Sequence, residues 1–178
     1  TQNNRREFLK LSGLAAGATF GAPAIVRGQN LNSRLQIGCI GVGGKGKSDT
    51  LNTAKCGGKI VGLCDVDQKR LDPMAKRFPD AQKYSDFREM LTKMGDQIDG
   101  VTISTPDHVH GVAGIMAMQM GKHIYCQKPL TQTVWESRMM RNLARDKKLA
   151  TQMGNQGSAE NGLRRSVELI QSGVIGKP

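Results

Sequence analysis

Leu35-Gln-Ile-Gly-Cys-Ile40, running directly into Gly41-Val-Gly-Gly-Lys-Gly46, decides how this chain is read. The first six residues form a short apolar run, the pattern of a buried strand, and the run stops in a cluster of glycines. A helix-forming segment follows, and a second apolar run, Lys59-Ile-Val-Gly-Leu-Cys64, ends in Asp65. That order builds a nucleotide site out of backbone geometry. Gly41 permits the tight turn off the strand, Gly43 lets the backbone approach a pyrophosphate, and Gly46 lets the helix pack close to the sheet. The helix N-terminus adds free N–H groups and the positive end of its dipole. Asp65, 24 residues after Gly41, is placed to accept hydrogen bonds from the hydroxyls of an adenosine ribose.

The same residues also satisfy G-x-x-x-x-G-K-S, with Gly41, Gly46, Lys47 and Ser48, so a P-loop nucleotide binder is the competing reading. In it Lys47 would reach the β- and γ-phosphates, Ser48 would hold magnesium, and the strand ending in Asp65 would supply a second oxygen to the metal. The rest of the chain has to decide between the two.

Residues 1–30 stand apart. Asn4-Arg-Arg-Glu-Phe-Leu-Lys10 is a twin-arginine pattern, Leu11 to Val26 is apolar and rich in Ala and Gly, and Ala22-Pro-Ala24 offers a small-x-small cleavage site. The expectation is a twin-arginine signal peptide and a periplasmic or extracytoplasmic protein, membrane-anchored if the leader is not cleaved. The export machinery would then be one partner. The apolar stretch is too short and too Gly-rich for a convincing permanent span.

The remaining 148 residues suffice for one domain with a proper core. The leader carries +3 of the formal charge of +11, leaving +8. These charges are scattered over helix faces (Lys69, Arg70, Lys76, Arg77; Arg138, Arg141, Arg145, Lys147, Lys148), and aromatics are only 4% of the chain. A solvated basic surface is expected, and no nucleic-acid partner. Cys39, Cys56, Cys64 and Cys126 form no C-x-x-C pair, and three of them fall in predicted strands, where cysteine behaves as a small buried hydrophobe.

Downstream, strands alternate with helices. Gln68 to Phe78 reads as a helix disturbed by Pro73, and Asp86 to Met94 as another. Gly100-Val-Thr-Ile-Ser104 is a strand stopped by Thr105-Pro106. Val109 to Met120 is an amphipathic helix, Lys122-His-Ile-Tyr-Cys126 a strand, and Thr131 to Lys147 a long helix with Trp135, Met139, Met140, Leu143 and Ala144 expected in the core. Leu149 to Met153 is a further strand, and Glu160 to Ser172 a last helix presenting Leu163, Val167 and Ile170. The alternation predicts an α/β fold, a doubly wound Rossmann sheet of parallel strands with its ligand at the strand C-terminal ends. Loops 41–46, 65–67, 104–110, 127–130 and 154–157 would all open on that edge.

Those loops together resemble the Gfo/Idh/MocA family of glucose–fructose oxidoreductases, inositol dehydrogenases and relatives. The residues that carry the resemblance are Gly41-Val-Gly-Gly-Lys-Gly46, Asp65-Val-Asp67, Ser104-Thr-Pro-Asp-His-Val-His110, Gln127-Lys-Pro-Leu130 and Gly154-Asn-Gln156, in the family's order and spacing from about residue 33 to the end. The resemblance favours the dinucleotide reading over the P-loop. It implies that Gly41, Gly43, Gly44 and Gly46 surround the pyrophosphate and that Asp65 holds the ribose, favouring NAD over NADP because a carboxylate repels a 2′-phosphate. It places Ser104, Thr105 and Pro106 along the cofactor, with His108 and His110 toward the nicotinamide. Gln127 and Asn155 would face the same cleft. Lys128 would be the catalytic lysine, moving a hydroxyl proton during hydride transfer. Taken alone, His110 reads as a helix-start or packing residue and Lys128 as an exposed lysine. His108-x-His110 lacks a third ligand, so no metal is expected.

Two departures from the family pattern stand out. Gln127 replaces the usual acid before Lys-Pro, which alters how the lysine is tuned. The chain stops about where the family's C-terminal α/β substrate domain would begin, so a form truncated before that domain is expected. The expected organisation is therefore a leader over 1–30, an NAD(P)-binding Rossmann domain over 31–157, and a connecting helix with the start of a truncated domain over 158–178. The leading function is an exported NAD(P)-dependent oxidoreductase acting on a sugar, polyol or related carbohydrate, possible as a homo-oligomer in full-length form. The alternatives are an NAD-dependent glycosidase using transient oxidation and a catalytically incomplete nucleotide-binding module.

Overall fold

The apolar runs of the sequence become six parallel strands in the computed structural model, which describes residues 34–176. The twin-arginine pattern and apolar stretch of residues 1–30 lie outside the described residues. The strands are β1 (Gln36–Ile40), β2 (Lys59–Cys64), β3 (Gln82–Tyr84), β4 (Gly100–Ile103), β5 (His123–Gln127) and β6 (Thr151–Gly154). They are separated by helices α1 (Lys45–Lys55), α2 (Gln68–Arg77), α3 (Phe87–Met94), α4 (Asp107–Gln119) and α5 (Val134–Asp146), and α6 (Asn161–Gln171) follows β6. The sheet order is β3-β2-β1-β4-β5-β6, the doubly wound order in which the chain reverses direction across the sheet between β1 and β4.

Each face of the sheet has its own core, because side chains on a strand alternate between faces. On one side Cys39, Ile60, Leu63, Leu71 and Met74 pack with α1 and α2. On the other Ile40, Val101, Ile103, Ile124 and Cys126 meet Met90, Leu91, Ala113, Ala117 and Met140 of α3, α4 and α5. Val61 is an extra residue in β2, so Ile37 pairs with Ile60 but Gly38 with Gly62. The paired glycines leave a slot for Met90: a Cβ on Gly38 would lie 3.1 Å from its Cε, and one on Gly62 would lie 2.9 Å from its Sδ. On α4, Gly111 and Gly114 make similar room for Glu136 and Met140 of α5.

Several local expectations are corrected. β3 is absent from the sequence reading because three residues are too few to show alternation. The helix expected over Gln68 to Phe78 forms as α2 and runs through Pro73, which costs at most one backbone bond while Leu71 and Met74 anchor the helix in the core. The long helix starts at Val134, three residues after Thr131, because Thr133 and Glu136 form a reciprocal capping box, a legible T-x-x-E signal. Trp135, expected in the core, is 64% exposed. It sits in the first turn of α5, while that helix is anchored by Met140 one turn beyond Glu136.

All four cysteines are free thiols, three buried and Cys56 exposed. Burial, with the Asp65 carboxylate adding to it, pushes the Cys64 thiol up to about 12. Burial alone does the same for Cys126, and burial dominates the upward shift of Cys39. A thiol held protonated and out of solvent does not attack disulfides. Titration with an aromatic disulfide reagent at pH 8 is therefore expected to count one thiol per native chain and four in denaturant; fast reaction of a second native thiol would contradict the buried assignment.

Candidate functional site

The site begins where β1 ends. Gly41, at φ 79°, turns the chain, and its N–H donates to the Cys64 carbonyl at 2.8 Å, tying the turn to β2. On the other side Ser104 N donates to the Ile40 carbonyl at 2.8 Å, tying β4 to the same corner. A Cβ on Gly41 would sit 2.6 Å from Ser104 O, and one on Gly46 would sit 1.9 Å from Gly41 O. Only hydrogen fits at either position. The start of α1 is thus pressed against the turn, with no side chain capping its first N–H groups. Uncapped N–H groups of this kind suit an anion.

Asp65 fixes the turn from the β2 side. It is buried, and Oδ2 accepts from Val42 N at 2.9 Å and from Gly43 N at 3.1 Å. Oδ1 accepts from Asp67 N at 3.0 Å. A carboxylate has about four acceptor positions, so one remains for an incoming donor. Arg70 of α2 lies across the same turn, close enough that a Cβ on Gly43 would meet its Cδ at 2.2 Å. Its Nε is 3.4 Å from Asp67 Oδ2.

A cleft of about 520 Å³ opens from this corner, within the range of roughly 300–1,000 Å³ usual for small-molecule sites. Of the candidate residues, Gly41, Gly43, Asp65, Ser104, Thr105, Pro106 and His108 line it. Thr105 Oγ1 is buried there with no partner, a polar atom left for a ligand to satisfy. The glycine cradle, the uncapped helix start and this orphaned hydroxyl together fit an elongated molecule bearing phosphate and hydroxyl groups. Asp67 and Arg70 line the cleft beside Asp65, and so do Asp86, Phe87 and Arg88, which the sequence did not point to. Asp86 and Arg88 form an ion pair at 2.6 Å, and the Arg88 guanidinium beside Asp86 holds that carboxyl below its ordinary value. They follow β3, whose brevity hid the fact that its C-terminal end opens on the same edge.

The other candidates lie elsewhere. Gly44 caps α1 and Gly46 packs it, both without lining the cleft. His110, expected near the nicotinamide, is buried beneath the site. Its Nδ1 is 2.6 Å from Pro129 O and its Nε2 2.8 Å from Thr105 O, so both ring nitrogens are engaged with backbone. It staples the turn after β4 to the segment after β5, and the helical position that carries it inward also removes it as a metal partner for His108. Gln127 is buried and donates from Nε2 to Asp49 Oδ2 at 2.8 Å. Lys128 and Asn155 are exposed at the ends of β5 and β6, on the same edge but outside the cleft lining. In the P-loop alternative Lys47 and Ser48 would face the ligand. Here both are exposed on α1, away from the cleft, and Ser48 Oγ donates back to Lys45 O.

The sequence model of the Gfo/Idh/MocA family, described as an oxidoreductase family with an NAD-binding Rossmann fold, matches residues 35–155. A levoglucosan dehydrogenase of Pseudarthrobacter phenanthrenivorans is 29% identical over 84% of this chain and 39% of its own length. An inositol 2-dehydrogenase of Burkholderia multivorans is 33% identical over 81% of the chain and 43% of its own. Among solved structures, a myo-inositol 2-dehydrogenase of Lactobacillus plantarum shares the fold at a TM-score of 0.69 and 24% identity, covering 82% of this chain and 43% of that one. An NAD binding oxidoreductase of Klebsiella pneumoniae gives 0.63 at 29% identity, covering 82% and 41%. The chain thus spans about two fifths of the length of these relatives.

The close approach of α1 to the turn is testable by stability alone. Gly46→Ala places a methyl group inside contact distance of backbone and is expected to cost at least about 1–3 kcal/mol in urea unfolding. Gly157→Ala, where a Cβ meets nothing within 4 Å, is expected to stay within about 0.5 kcal/mol of the parent. Equal effects would contradict the packing described.

Proposed function

The chain belongs to the Gfo/Idh/MocA oxidoreductase family, and we propose that it is the nucleotide-binding part of an NAD-dependent dehydrogenase of a sugar, polyol or related carbohydrate. The observation that carries this is the Asp65 carboxylate, held by three backbone N–H groups at the mouth of the glycine turn with an acceptor position free. The glycine turn and the start of α1 hold the pyrophosphate by backbone N–H groups. Asp65 accepts from the adenosine ribose and repels a 2′-phosphate, which selects NAD over NADP. Arg70, engaged with Asp67, lies against the same mouth and orders the adenosine end. Thr105 Oγ1 supplies a hydrogen bond to the cofactor further along the cleft. The nicotinamide, when bound, takes or gives the hydride. Lys128 Nζ, at the exposed end of β5, handles the proton of the substrate hydroxyl. The relatives that are an inositol 2-dehydrogenase and a levoglucosan dehydrogenase support a polyhydroxylated substrate. The Arg5-Arg6 pattern with its apolar run supports export by the twin-arginine route to an extracytoplasmic compartment.

Calorimetric titration with NADH, NADPH and ATP–Mg²⁺ tests the reading. NADH is expected to bind saturably, NADPH at least about tenfold more weakly, and ATP–Mg²⁺ not comparably. Asp65→Ala is expected to weaken NADH by about tenfold or more and to narrow the NADH/NADPH ratio, which loss of loop bracing alone would not do. ATP–Mg²⁺ binding tightly while NADH is ignored would overturn the proposal.

A further inference from the structure

One buried charge at the strand C-terminal edge is left over by the site described above. Asp49, on α1, is 6% exposed. Its Oδ2 accepts from Ser104 Oγ at 2.8 Å and from Gln127 Nε2 at 2.8 Å, and Oδ1 pairs with Lys45 Nζ. These bonds span 55 and 78 residues of chain. A buried carboxylate is retained only when its lone pairs are taken up, and here donors come from the turn after β4 and from the end of β5. Ser104 opens the turn that continues into Thr105 and Pro106 along the cleft. Gln127 immediately precedes Lys128.

The identity of residue 127 follows from this contact. An ionised carboxylate at Asp49 demands a donor, which an amide has and a second carboxylate lacks. The Gln127 amide packs directly against Gly154 of β6, where a Cβ would lie 2.6 Å from Nε2 and 2.8 Å from Oε1. The acid that the family usually carries before Lys-Pro is therefore not simply lost. An acid stands on the neighbouring helix, and the residue before Lys128 has become its donor.

We propose that Asp49 is a positioning residue of the nicotinamide side of the site, fixing the turn after β4 against the Lys128 loop through Ser104 and Gln127. This rests on the dehydrogenase reading given above. Asp49 touches neither cofactor nor substrate in this role; it sets the spacing between the residues along the cofactor and the lysine that handles the proton. Among the described residues, the titratable and charged groups around it are Lys45 on its own helix, Cys39 on β1, whose thiol the Asp49 charge helps to raise, and Cys56 and Tyr125, which line a cleft with Asp49, with Lys128 following Gln127 beyond β5.

The test is an exchange of the pair, with Asp49→Asn, Gln127→Glu and the double variant measured beside the parent from pH 6 to 8.5. Gln127→Glu alone sets two carboxylates about 3 Å apart, so one of them is raised above its unfolded value and the pair shares a proton. Its stability is therefore greatest below the unfolded carboxylate range and falls as pH rises through the raised value. Relative to the parent, its melting temperature without cofactor is expected to drop progressively with pH. Its NADH dissociation constant is expected to rise by about tenfold across the same range. Asp49→Asn alone is expected to weaken NADH by about three- to tenfold without that pH dependence. The double variant restores one donor–carboxylate contact and is expected to return NADH affinity to within about threefold of the parent with the pH profile flattened. Gln127→Glu following the parent's pH profile would overturn the inference. So would a double variant that regains melting temperature but not NADH affinity, which marks a purely structural role. No NADH binding by the parent overturns the dehydrogenase reading and this inference with it; parental binding with uncoupled variants overturns the inference alone.

Discussion

The carboxylate of Asp65 holding the backbone of the glycine turn is the interaction on which the rest of the site depends. The turn after β1 contains four glycines in six residues, with Val42 as its one side chain anchored in the core. Left to itself such a segment carries a large conformational entropy. Asp65 meets it with bonds to consecutive N–H groups at Val42 and Gly43, and the parallel pairing of β1 with β2 sets the distance. The same register brings Cys64 O to the Gly41 N–H. One strand pair thus delivers both the bend and its brace, and the missing Cβ atoms at Gly41 and Gly46 let the helix close down on them.

A second carboxylate repeats the device further along the edge. Asp49 joins α1 to the ends of β4 and β5, as Asp65 joins β2 to the end of β1. His110 adds a third tie, from the turn after β4 to Pro129 beyond Lys128. The loops that carry cofactor and proton chemistry in the proposed function are therefore not free segments on a rigid sheet. Each is pinned by a buried polar group whose partners lie far away in sequence. Such groups contribute modest net stability, since burial offsets most of the gain, but breaking one partner leaves the other stranded. Their effect is on geometry.

Much of the fold was legible because the chain repeats one pattern: an apolar strand, a break containing glycine or an acid, an amphipathic helix. β1, β2, β4 and β5 are four to six residues long and nearly all apolar, as strands covered on both faces must be. β3 lacked the length to register. The stripe predicted for α5 does meet the core through Met140, Leu143 and Ala144, but Trp135, in the first turn, lies beyond that contact, because helical spacing identifies a stripe without saying where along the helix its packing begins. The glycines and Asp65 were readable as parts of a local motif. Phe87 and Arg88 were not, since they reach the cleft from a helix that only the sheet order brings near. His110 sits two residues from His108, yet one lines the cleft and the other is buried under it, a difference set by helix rotation. Asp49 was invisible for the same reason: its meaning lies in Gln127, 78 residues away.

The central claim is that one dinucleotide spans the corner between β1, β2 and β4. Amide chemical-shift changes on adding NADH to isotope-labelled protein test it most directly. The account predicts the largest changes at Val42 to Gly46, at Asp65 to Asp67 and at Ser104 to His108, with a second, smaller groove, of about 240 Å³ and lined by Met118, Met140 and Met153 between α4, α5 and β6, unaffected. Shifts centred on that groove, or confined to Lys47 and Ser48, would contradict it.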